Sequence, residues 1–565
     1  MIRQLKSFFL LINTSFSYRF VFALFLFLLL SALEFGSVLL IPDFISYLNG
    51  NETKFLDLIV ENVSPVLGIS PINTATLMVP LAFLIKNAYL IGTKYFQSNF
   101  VYKLLKSVSD QIISNVSKIP YQQFVSIDLG VLSYHIIQEI RHVCQFIVLP
   151  LLKLAMNSFV FLSIIALLFY QIGVDFIYVF GVIGITFFVV LTLLQKASRI
   201  IGNKAMKFRE SYSMFINQFL NGILELRLFK RSRFFLEIAQ KRTSELSSAE
   251  IKRDFYSTLA KPIIEIVFIS FLIITLAIEL RTNDPVETIA NFSLYLVAVY
   301  KLIPSINEII GAATSIRFYA KSLSIVNSYL QKNNESNESE SVYTYEELEE
   351  GKLIEFRDVT FGYDATKPII KNLNLEVNRG DIIGISGPSG SGKSTMIMLF
   401  SGLFRPQKGQ IVFNAKVFKE DVKFGYVSQK PFIFNQNLLK NISLTNDDSN
   451  ADLDRVKESI KKAQLDIFTD EELSTKDLGE NGAVLSGGQR QRVSIARAMY
   501  PDKEILIIDE ATASLDRVTA QNILRAILYD GQLATLMITH RQEDLNFANK
   551  KLVFTDNDIK IEVND

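Results

Sequence analysis

Residues 387–395 read Gly-Pro-Ser-Gly-Ser-Gly-Lys-Ser-Thr, a glycine-rich stretch whose lysine is followed by two hydroxyl residues. The apolar runs 382–385 and 396–400 flank it, so the sequence predicts a strand, a tight turn and a helix. In that context, backbone N–H groups and a helix N-terminus converge on nucleotide phosphates, Lys393 adds a positive charge and Ser394 is placed to bind Mg²⁺. The expected nucleotide-binding residues are Gly387, Ser389, Gly390, Gly392, Lys393, Ser394 and Thr395.

Composition divides the chain into two halves. Of its 565 residues 49% are hydrophobic, and before about residue 320 the apolar residues form runs long enough to cross a bilayer, which takes about 20 residues. We therefore expect a membrane domain followed by a soluble domain. The net charge of +1 gives no general signal for nucleic-acid binding. Cys144 is the single cysteine, which excludes an intrachain disulfide and a cysteine-based zinc site.

Hydropathy and charge predict the topology of the first half. Six spans are expected, at 19–47, 74–100, 134–170, 174–197, 253–280 and 287–320. Lysine and arginine are concentrated after the second and fourth spans, so the positive-inside rule places the N-terminus and the soluble half in the cytoplasm. The amphipathic segment 55–68 is too short to cross and is interpreted as a helix on the outer membrane face, with a loop as the alternative.

Ionisable residues inside the spans are costly and are often functional. Lys86 lies midway along the second span, Lys301 in the sixth, and Lys261 at the start of the apolar part of the fifth. One interpretation is a cavity lined with cations that suits an anionic cargo. The alternative is that these lysines pair within the protein. Candidate partners are Glu34 or Glu308 for Lys301, and Glu265 for Lys261.

The soluble half follows the polar, acidic segment 331–350, which is predicted to be a linker. From Gly351 onward, strand patterns give way to alternating strands and helices, which is typical of an α/β domain. The apolar strand 505–508 ends in two carboxylates. Asp509 is placed to hold Mg²⁺ and Glu510 to polarise an attacking water.

A second phosphate-binding stretch lies at 485–489, which reads Leu-Ser-Gly-Gly-Gln and precedes a helical pattern. It presents backbone N–H groups and a hydroxyl at a helix N-terminus, an arrangement that suits phosphate. The residues concerned are Ser486, Gly487, Gly488 and Gln489.

In this order and spacing, the phosphate loop 387–395, the 485–489 stretch and the Asp509–Glu510 pair resemble those of ABC transporters of the exporter half-transporter type. The resemblance covers essentially the whole chain. It implies a helical membrane domain of six spans at 1–330 and an α/β P-loop ATPase domain of ABC type at 351–565, which uses ATP and Mg²⁺. It also implies that Tyr363 stacks on adenine, Gln429 contacts Mg²⁺ and the membrane helices, Asp516 lies in a dimer-interface loop and His540 contacts the γ-phosphate.

In the family that the chain resembles, each ATP lies between the phosphate loop of one copy and the 485–489 stretch of another. Because Glu510, His540 and the 485–489 stretch are all intact, two copies would form two competent sites. We therefore expect a homodimer, with a heterodimer as the alternative. The expected location is the bacterial inner membrane, crossed several times, with the ATPase domain in the cytoplasm.

A narrower resemblance concerns the cargo. Residues 298–307, the segment 55–68 and Lys86 within 84–89 look like the PglK-type flippases for lipid-linked oligosaccharides. This implies that a polyprenyl-pyrophosphate-linked oligosaccharide moves from the cytoplasmic to the outer leaflet, contacting Lys86, Lys301 and Lys261. The alternatives are an exporter of lipids or hydrophobic drugs, a peptide exporter, which often carries an extra N-terminal domain, and an ABC ATPase without transport, against which the six spans argue.

Overall fold

The computed structural model describes residues 14–48, 53, 56–172, 175–282, 285–335, 344–364, 366–418, 424–445, 450–465, 467–512, 514–528, 532–555 and 559–563. The chain divides into two compact units. The first comprises Met1–Ile119 and Gln123–Asn337, and the second comprises Pro120–Gln122 and Glu338–Asp565.

Helices form the first unit. Among the described residues, six are long and apolar enough to cross a membrane, which confirms the predicted number of spans: Phe16–Leu48, Pro71–Ser117, Leu129–Phe169, Gly184–Asn221, Ser232–Ile274 and Tyr295–Phe318. The helical segments up to residue 335, of which α4 has its first two residues in the second unit, are α1 (Thr14–Leu48), α2 (Leu56–Leu67), α3 (Pro71–Ser117), α4 (Tyr121–Phe124), α5 (Leu129–Tyr134), α6 (Ile140–Val143), α7 (Leu149–Ile172), α8 (Asp175–Asn221), α9 (Ile223–Leu228), α10 (Ser232–Thr282), α11 (Pro285–Phe318) and α12 (Ala320–Glu335).

Several of these helices are longer than a bilayer requires. The 47 residues of α3 correspond to about 70 Å at 1.5 Å per residue, against a hydrocarbon core of about 30 Å. The span predicted at 74–100 therefore covers only the apolar part of α3. Likewise, α10 begins at Ser232, about six turns before the span predicted at 253–280.

The third span contains two irregular turns. The π-helical segments His135–Glu139 and Cys144–Val148 separate α5, α6 and α7. A π-helical turn closes on the residue five positions away, so it widens the helix at that point.

The amphipathic segment between the first two spans forms a helix, α2, so the helical interpretation is confirmed and the loop alternative is wrong. Leu56 and Val60 on one face of α2 are buried against Leu40 of α1 and Ala75 of α3. The helix is thus packed on the ends of two membrane helices. Its position at the outer membrane face stays a prediction.

Two sheets form the second unit, one with the strand order β1-β5-β2-β3 and one with the order β10-β9-β4-β8-β7-β6. The strands are β1 (Thr344–Glu346), β2 (Lys352–Phe361), β3 (Ile370–Asn378), β4 (Ile382–Ser386), β5 (Lys408–Asn414), β6 (Phe424–Val427), β7 (Ile505–Asp509), β8 (Ala534–Ile538), β9 (Lys550–Phe554) and β10 (Ile559–Val563). Helices α13 (Lys393–Phe400), α14 (Leu438–Ser443), α15 (Leu453–Lys462), α16 (Glu472–Thr475), α17 (Gly487–Met499) and α18 (Arg517–Leu528) complete it.

The six-stranded sheet determines where polar residues can meet. Strands β4, β8, β7 and β6 are mutually parallel neighbours. Their interior is apolar, as expected for strands that are covered on both faces, and Ile505–Ile508 are all buried. The residues that follow these strands therefore collect at one edge of the sheet, where ligands of open α/β sheets bind.

The segment predicted as a linker is shorter in the structure. Helix α12 continues to Glu335, and β1 pairs in parallel with β5 within the second unit. Residues 336–343 of the predicted linker lie outside the described residues. The acidic composition thus marks the boundary between the units but overstates its length.

Candidate active site and intramembrane charges

The phosphate loop joins β4 to α13, as the sequence predicts. Gly387 has a φ of +146° and Gly392 a φ of +108°, values that favour glycine. A side chain at Gly387 would also collide with Phe554 of β9. Lys393 is buried, and its Nζ donates hydrogen bonds to the carbonyl oxygens of Gly387 (2.9 Å) and Pro388 (2.7 Å). The ammonium group is therefore held inside the loop that would wrap around phosphates.

The remaining residues of this loop differ in exposure. Ser389, Gly390 and Ser394 are exposed, whereas Thr395 is buried. The Thr395 hydroxyl lies 3.3 Å from the hydroxyl of Tyr363. The whole Tyr363 residue is 67% exposed, so its ring has a free surface on which a base can stack.

Glu510 is the centre of the candidate active site. Its Oε2 accepts a hydrogen bond from Nε2 of Gln429 at 2.5 Å, and its Oε1 lies 3.0 Å from Nε2 of His540. Gln429 follows β6, Glu510 follows β7 and His540 follows β8, so the parallel sheet brings together three residues that are distant in sequence. Glu510 has a left-handed φ of 47°, which is costly for a residue other than glycine and is often found at functional sites.

Asp509 ends β7 and differs from its neighbour. Burial, and secondly the charge of Glu510, raise the pKa of Asp509, while Lys393 partly offsets this effect. Asp509 forms no ion pair with any other described residue. A carboxylate whose charge is poorly compensated is a suitable ligand for a cation.

The residues present fit Mg²⁺, which prefers oxygen ligands and is usually held by one or two carboxylates together with substrate phosphates. Asp509, the Ser394 hydroxyl and the Gln429 amide oxygen would supply such ligands. Within the residues that the structure describes, no three His, Cys, Asp or Glu side chains are grouped so that they could hold a metal ion by themselves. The donor set thus suits a metal ion that arrives with a nucleotide.

The 485–489 stretch forms the N-terminus of α17. The Ser486 hydroxyl accepts a hydrogen bond from the Gln489 backbone N–H (3.2 Å), and the Gln489 side chain accepts one from the Ser486 N–H (2.7 Å). This capping box leaves the N–H groups of Gly487, which is exposed, and Gly488, which is partly buried, at the start of a helix. In the described part of the chain, no hydrogen bond joins these residues to the phosphate loop.

Asp516 lies at the start of α18. Its Oδ1 accepts a hydrogen bond from the Thr519 backbone N–H at 3.0 Å, and this bond lowers the pKa of Asp516. The residue is therefore a helix cap as well as a candidate interface residue. Its role in a dimer stays a prediction.

In the first unit, the structure pairs the predicted intramembrane lysines. Lys86 Nζ lies 3.2 Å from Oε1 of Glu34, and Lys301 Nζ lies 2.9 Å from Oε2 of the same carboxylate. Lys86 is only 3% exposed. Lys261 lies 3.8 Å from Glu265 on the same helix. Cargo contact by these lysines stays a prediction.

The sequence reasoning missed Lys153. This lysine lies in α7, within the third span, and its Nζ is 3.4 Å from Oε2 of Glu308. Because Lys301 pairs with Glu34, Glu34 is confirmed as its partner and the alternative, Glu308, is wrong. Lys153 is a single charge inside an apolar run, the same signal that identified Lys86.

Comparisons with known proteins agree with this architecture. Residues 370–513 match the family described as ABC transporter. The chain is 33% identical to the heterocyst differentiation ATP-binding protein HepA of Nostoc sp. over 346 residues, which cover 60% of this chain and 56% of HepA. It is 36% identical to an ATP-dependent lipid A-core flippase of Ralstonia nicotianae over 212 residues, which cover 35% of this chain and 36% of the flippase.

A solved structure extends the comparison to both units. The fold matches a bacterial Atm1-family ABC exporter with ATP bound, with a TM-score of 0.79, 18% identity, and coverage of 98% of this chain and 96% of that one. The chain spans about half of HepA and about a third of the flippase. The chain thus carries an ABC ATP-binding domain, and its fold is that of an ABC exporter, in which six candidate membrane-spanning helices precede this domain.

Proposed function

We propose that the protein hydrolyses ATP to move a polyprenyl-pyrophosphate-linked oligosaccharide from the cytoplasmic to the outer leaflet of a bacterial inner membrane. The observation that carries the ATPase activity is the Glu510 carboxylate held between Gln429 and His540. The observation that carries the anionic cargo is the pairing of two lysines, the buried Lys86 and the partly buried Lys301, with the single carboxylate of Glu34.

The residues of the second unit have distinct roles in hydrolysis. The phosphate loop and Lys393 bind the phosphates, and Tyr363 stacks on the base. Glu510 orients the attacking water and accepts its proton, while Gln429 and His540 hold the Glu510 carboxylate in position. Mg²⁺, when bound, neutralises the charge that develops on the phosphates.

The 485–489 stretch gives a reason for dimerisation. It presents N–H groups that suit phosphate, yet it forms no hydrogen bond to the phosphate loop of its own chain within the described residues. A second copy that supplies its own Ser486–Gln489 would complete each site. We therefore propose a homodimer with two equivalent ATP sites.

The charges in the first unit favour an anionic cargo. Two ammonium groups share one carboxylate around Glu34, which leaves an excess of one positive charge where charges are poorly solvated. A pyrophosphate group carries oxygens that can replace Glu34 as partners of Lys86 and Lys301. The relative described as a lipid A-core flippase supports a lipid as the transported molecule.

A second candidate is an exporter of other lipids or hydrophobic drugs. Lys86 pairs with Glu34 inside the protein and is 3% exposed. This favours the second candidate, because a lysine that only neutralises Glu34 does not need to contact an anionic cargo. The two candidates differ in whether Lys86 is required for movement of the cargo.

The test is flipping of a polyprenyl-pyrophosphate oligosaccharide in proteoliposomes that contain the unaltered protein, Glu510→Gln or Lys86→Ala. We expect Glu510→Gln to bind ATP but to lose hydrolysis by about 100-fold or more, because general-base catalysis contributes roughly that factor. Lys86→Ala should lose flipping and keep basal ATPase activity. Lys103→Ala is a matched control, since Lys103 lies exposed on the same helix.

Each arm can contradict one part of the proposal. Substantial turnover by Glu510→Gln would refute the role of Glu510. Flipping that survives in Lys86→Ala would refute the cationic contact. Active ATPase without any flipping, together with stimulation by hydrophobic drugs, would favour the second candidate.

A further inference from the structure

We propose that Asp544 is a positioning residue for ATP hydrolysis, which ties the segment that carries Glu510 to the segment that carries His540. This inference rests on the proposed ATPase activity and adds to it a buried residue that lies outside the predicted nucleotide-binding residues. The observation is a single carboxylate oxygen that accepts hydrogen bonds from both segments.

The geometry of this contact is specific. Oδ2 of Asp544 accepts a hydrogen bond from the Thr512 hydroxyl at 2.9 Å and another from the Thr539 hydroxyl at 3.1 Å. Thr512 lies two residues after Glu510, and Thr539 directly precedes His540. One buried oxygen atom therefore fixes the distance between the two backbone segments that hold the catalytic side chains.

The charge of Asp544 is unusual for its position. The residue is 2% exposed and, in the part of the chain that the structure describes, it forms no ion pair. A buried carboxylate without a cation is costly, and a neutral side chain could fill the same space more cheaply. Hydrogen bonds to a charged acceptor are shorter and stronger than neutral ones, so the charge makes the tie between the segments more rigid.

Two further contacts run between the same segments. The Arg541 guanidinium donates a hydrogen bond to the Leu515 carbonyl oxygen at 3.1 Å. Arg517 forms an ion pair with Glu543 at 2.7 Å. Both arginines are more exposed than Asp544, and exposed ion pairs contribute little. Asp544 is thus the buried member of a set of contacts that fastens 539–544 to 512–517.

Precise placement matters at this site. The His540 side chain is about half exposed, so its own packing alone does not hold it, and the Glu510 carboxylate depends on His540 and Gln429 for its position. A misplacement of about 1 Å can lower a rate by about 100-fold. The phosphate loop, by contrast, lies between β4 and α13, and within the described residues no hydrogen bond or ion pair joins it to Asp544. Loss of Asp544 should therefore slow hydrolysis and leave nucleotide binding intact.

The experiment is steady-state ATPase kinetics of the full-length protein with Asp544→Asn. We expect kcat to fall about tenfold or more, with KM for ATP changed less than about threefold, as for an interaction that acts only on the chemical step. Asp381→Asn is the matched control. Asp381 is 6% exposed in the same unit, but it lies at the opposite end of β4, where it binds Lys550. Its kcat should stay close to that of the unaltered protein.

A double-mutant cycle separates positioning from a general loss of structure. If Asp544 acts through His540, Asp544→Asn should have little further effect in a His540→Ala background, whereas a merely structural residue would lower both rates by the same factor. Thr539→Val removes one donor while it preserves shape, and should reproduce part of the kcat loss.

Several results would overturn the inference. These are a kcat that falls no further than in Asp381→Asn, a rise in KM with kcat unchanged, or full additivity with His540→Ala. An unaltered protein that does not hydrolyse ATP would overturn the proposed function as well, so the two failures are distinguishable.

Discussion

At the scale of single residues, two adjacent carboxylates at the end of β7 have different surroundings. Glu510 is fixed between Gln429 and His540. Asp509 is half-buried, and its pKa is raised by burial and then by Glu510. The ionised form of Asp509 is therefore less stable in the folded chain than in the unfolded chain.

This environment gives a prediction for stability. The pKa of Asp509 is higher in the folded chain than in the unfolded chain. Its protonated form therefore stabilises the folded chain fully below the unfolded-state pKa, and this contribution is lost as the pH rises through the folded-state pKa. At pH 7, Asp509→Asn should raise the Tm of the nucleotide-free protein by roughly 2–4 °C for each kcal/mol of relief. The measurement is thermal unfolding with and without the substitution.

The control is Asp516→Ala, which should change the Tm in the opposite direction. The Thr519 backbone N–H lowers the pKa of Asp516, so its ionised form stabilises the folded chain. The gain from Asp509→Asn should also shrink in acid, below the folded-state pKa of Asp509, where the carboxyl is protonated. A Tm that is unchanged or lower at pH 7 would contradict the prediction.

The sequence predicts site residues that belong to motifs, but not residues that act through contacts across the fold. Gln429, Glu510 and His540 each follow an apolar strand, and parallel strands bring their carboxyl ends to one edge. Asp544 was not predicted, because its two partners are defined only when β7 and β8 are adjacent. The pairing of Lys153 with Glu308 likewise depends on how two helices face each other.

At the scale of elements, helices α8 and α11 of the first unit approach each other closely at one position. Helix α11 ends at Phe318 and α12 begins at Ala320, so the chain breaks its helix at Tyr319. Gly202 of α8 lies against the backbone of Phe318, and a Cβ at this position would overlap the Phe318 carbonyl group. The obstacle is backbone rather than a flexible side chain, so it cannot move aside easily.

Gly202→Ala should therefore destabilise the protein by about 1–3 kcal/mol, as overpacking of a close contact does. Gly184→Ala is the matched control, because Gly184 lies on the same helix and a Cβ at this position would have no neighbouring heavy atom within 4 Å. This control should be neutral or stabilising by up to about 1 kcal/mol, since alanine favours helix over glycine. Thermal unfolding in detergent measures both, and equal Tm values would contradict the close-packing interpretation.

Elements were predicted with different success for physical reasons. The six spans and the core strands were predicted from apolar runs, because segments that lie in the membrane or in the protein core consist mainly of apolar residues. The ends of α3 and α10 were not predicted, since these helices continue as polar segments without an apolar run. The two π-helical turns of the third span were also not predicted, because no residue pattern distinguishes them from the surrounding helix.

At the scale of the whole molecule, the proposed homodimer determines how the sites are completed. Each chain supplies one phosphate loop and one Ser486–Gln489 stretch. If each ATP lies between the two, a dimer contains two sites, and each site combines residues from both copies. A substitution in the phosphate loop of one copy then inactivates only the site that contains this loop, and the same holds for the Ser486–Gln489 stretch.

Co-expression of two inactive variants tests this arrangement. Lys393→Ala damages the phosphate loop, and Ser486→Arg places a bulky cation at the start of α17. Either homodimer would have two damaged sites, whereas a mixed dimer would keep one intact site. With random pairing and independent sites, we expect about a quarter of the unaltered ATPase rate from the mixture.

Separately purified variants that are mixed only after dimers have formed serve as the control and should remain inactive. No recovery on co-expression, with mixed dimers confirmed by two affinity tags, would contradict sites shared between copies. A protein that crosslinks only as a monomer would contradict the homodimer itself.

The burial of Cys144 makes the chain convenient for spectroscopy. This thiol is the only one in the sequence, it lies in a π-helical turn of the third span, and it is 1% exposed. A maleimide dye or spin label needs an accessible thiolate, so the unaltered protein should label slowly and serve as its own background. A cysteine introduced on an exposed face would then be the one site that reacts, and two such probes in a dimer could report distances during ATP turnover.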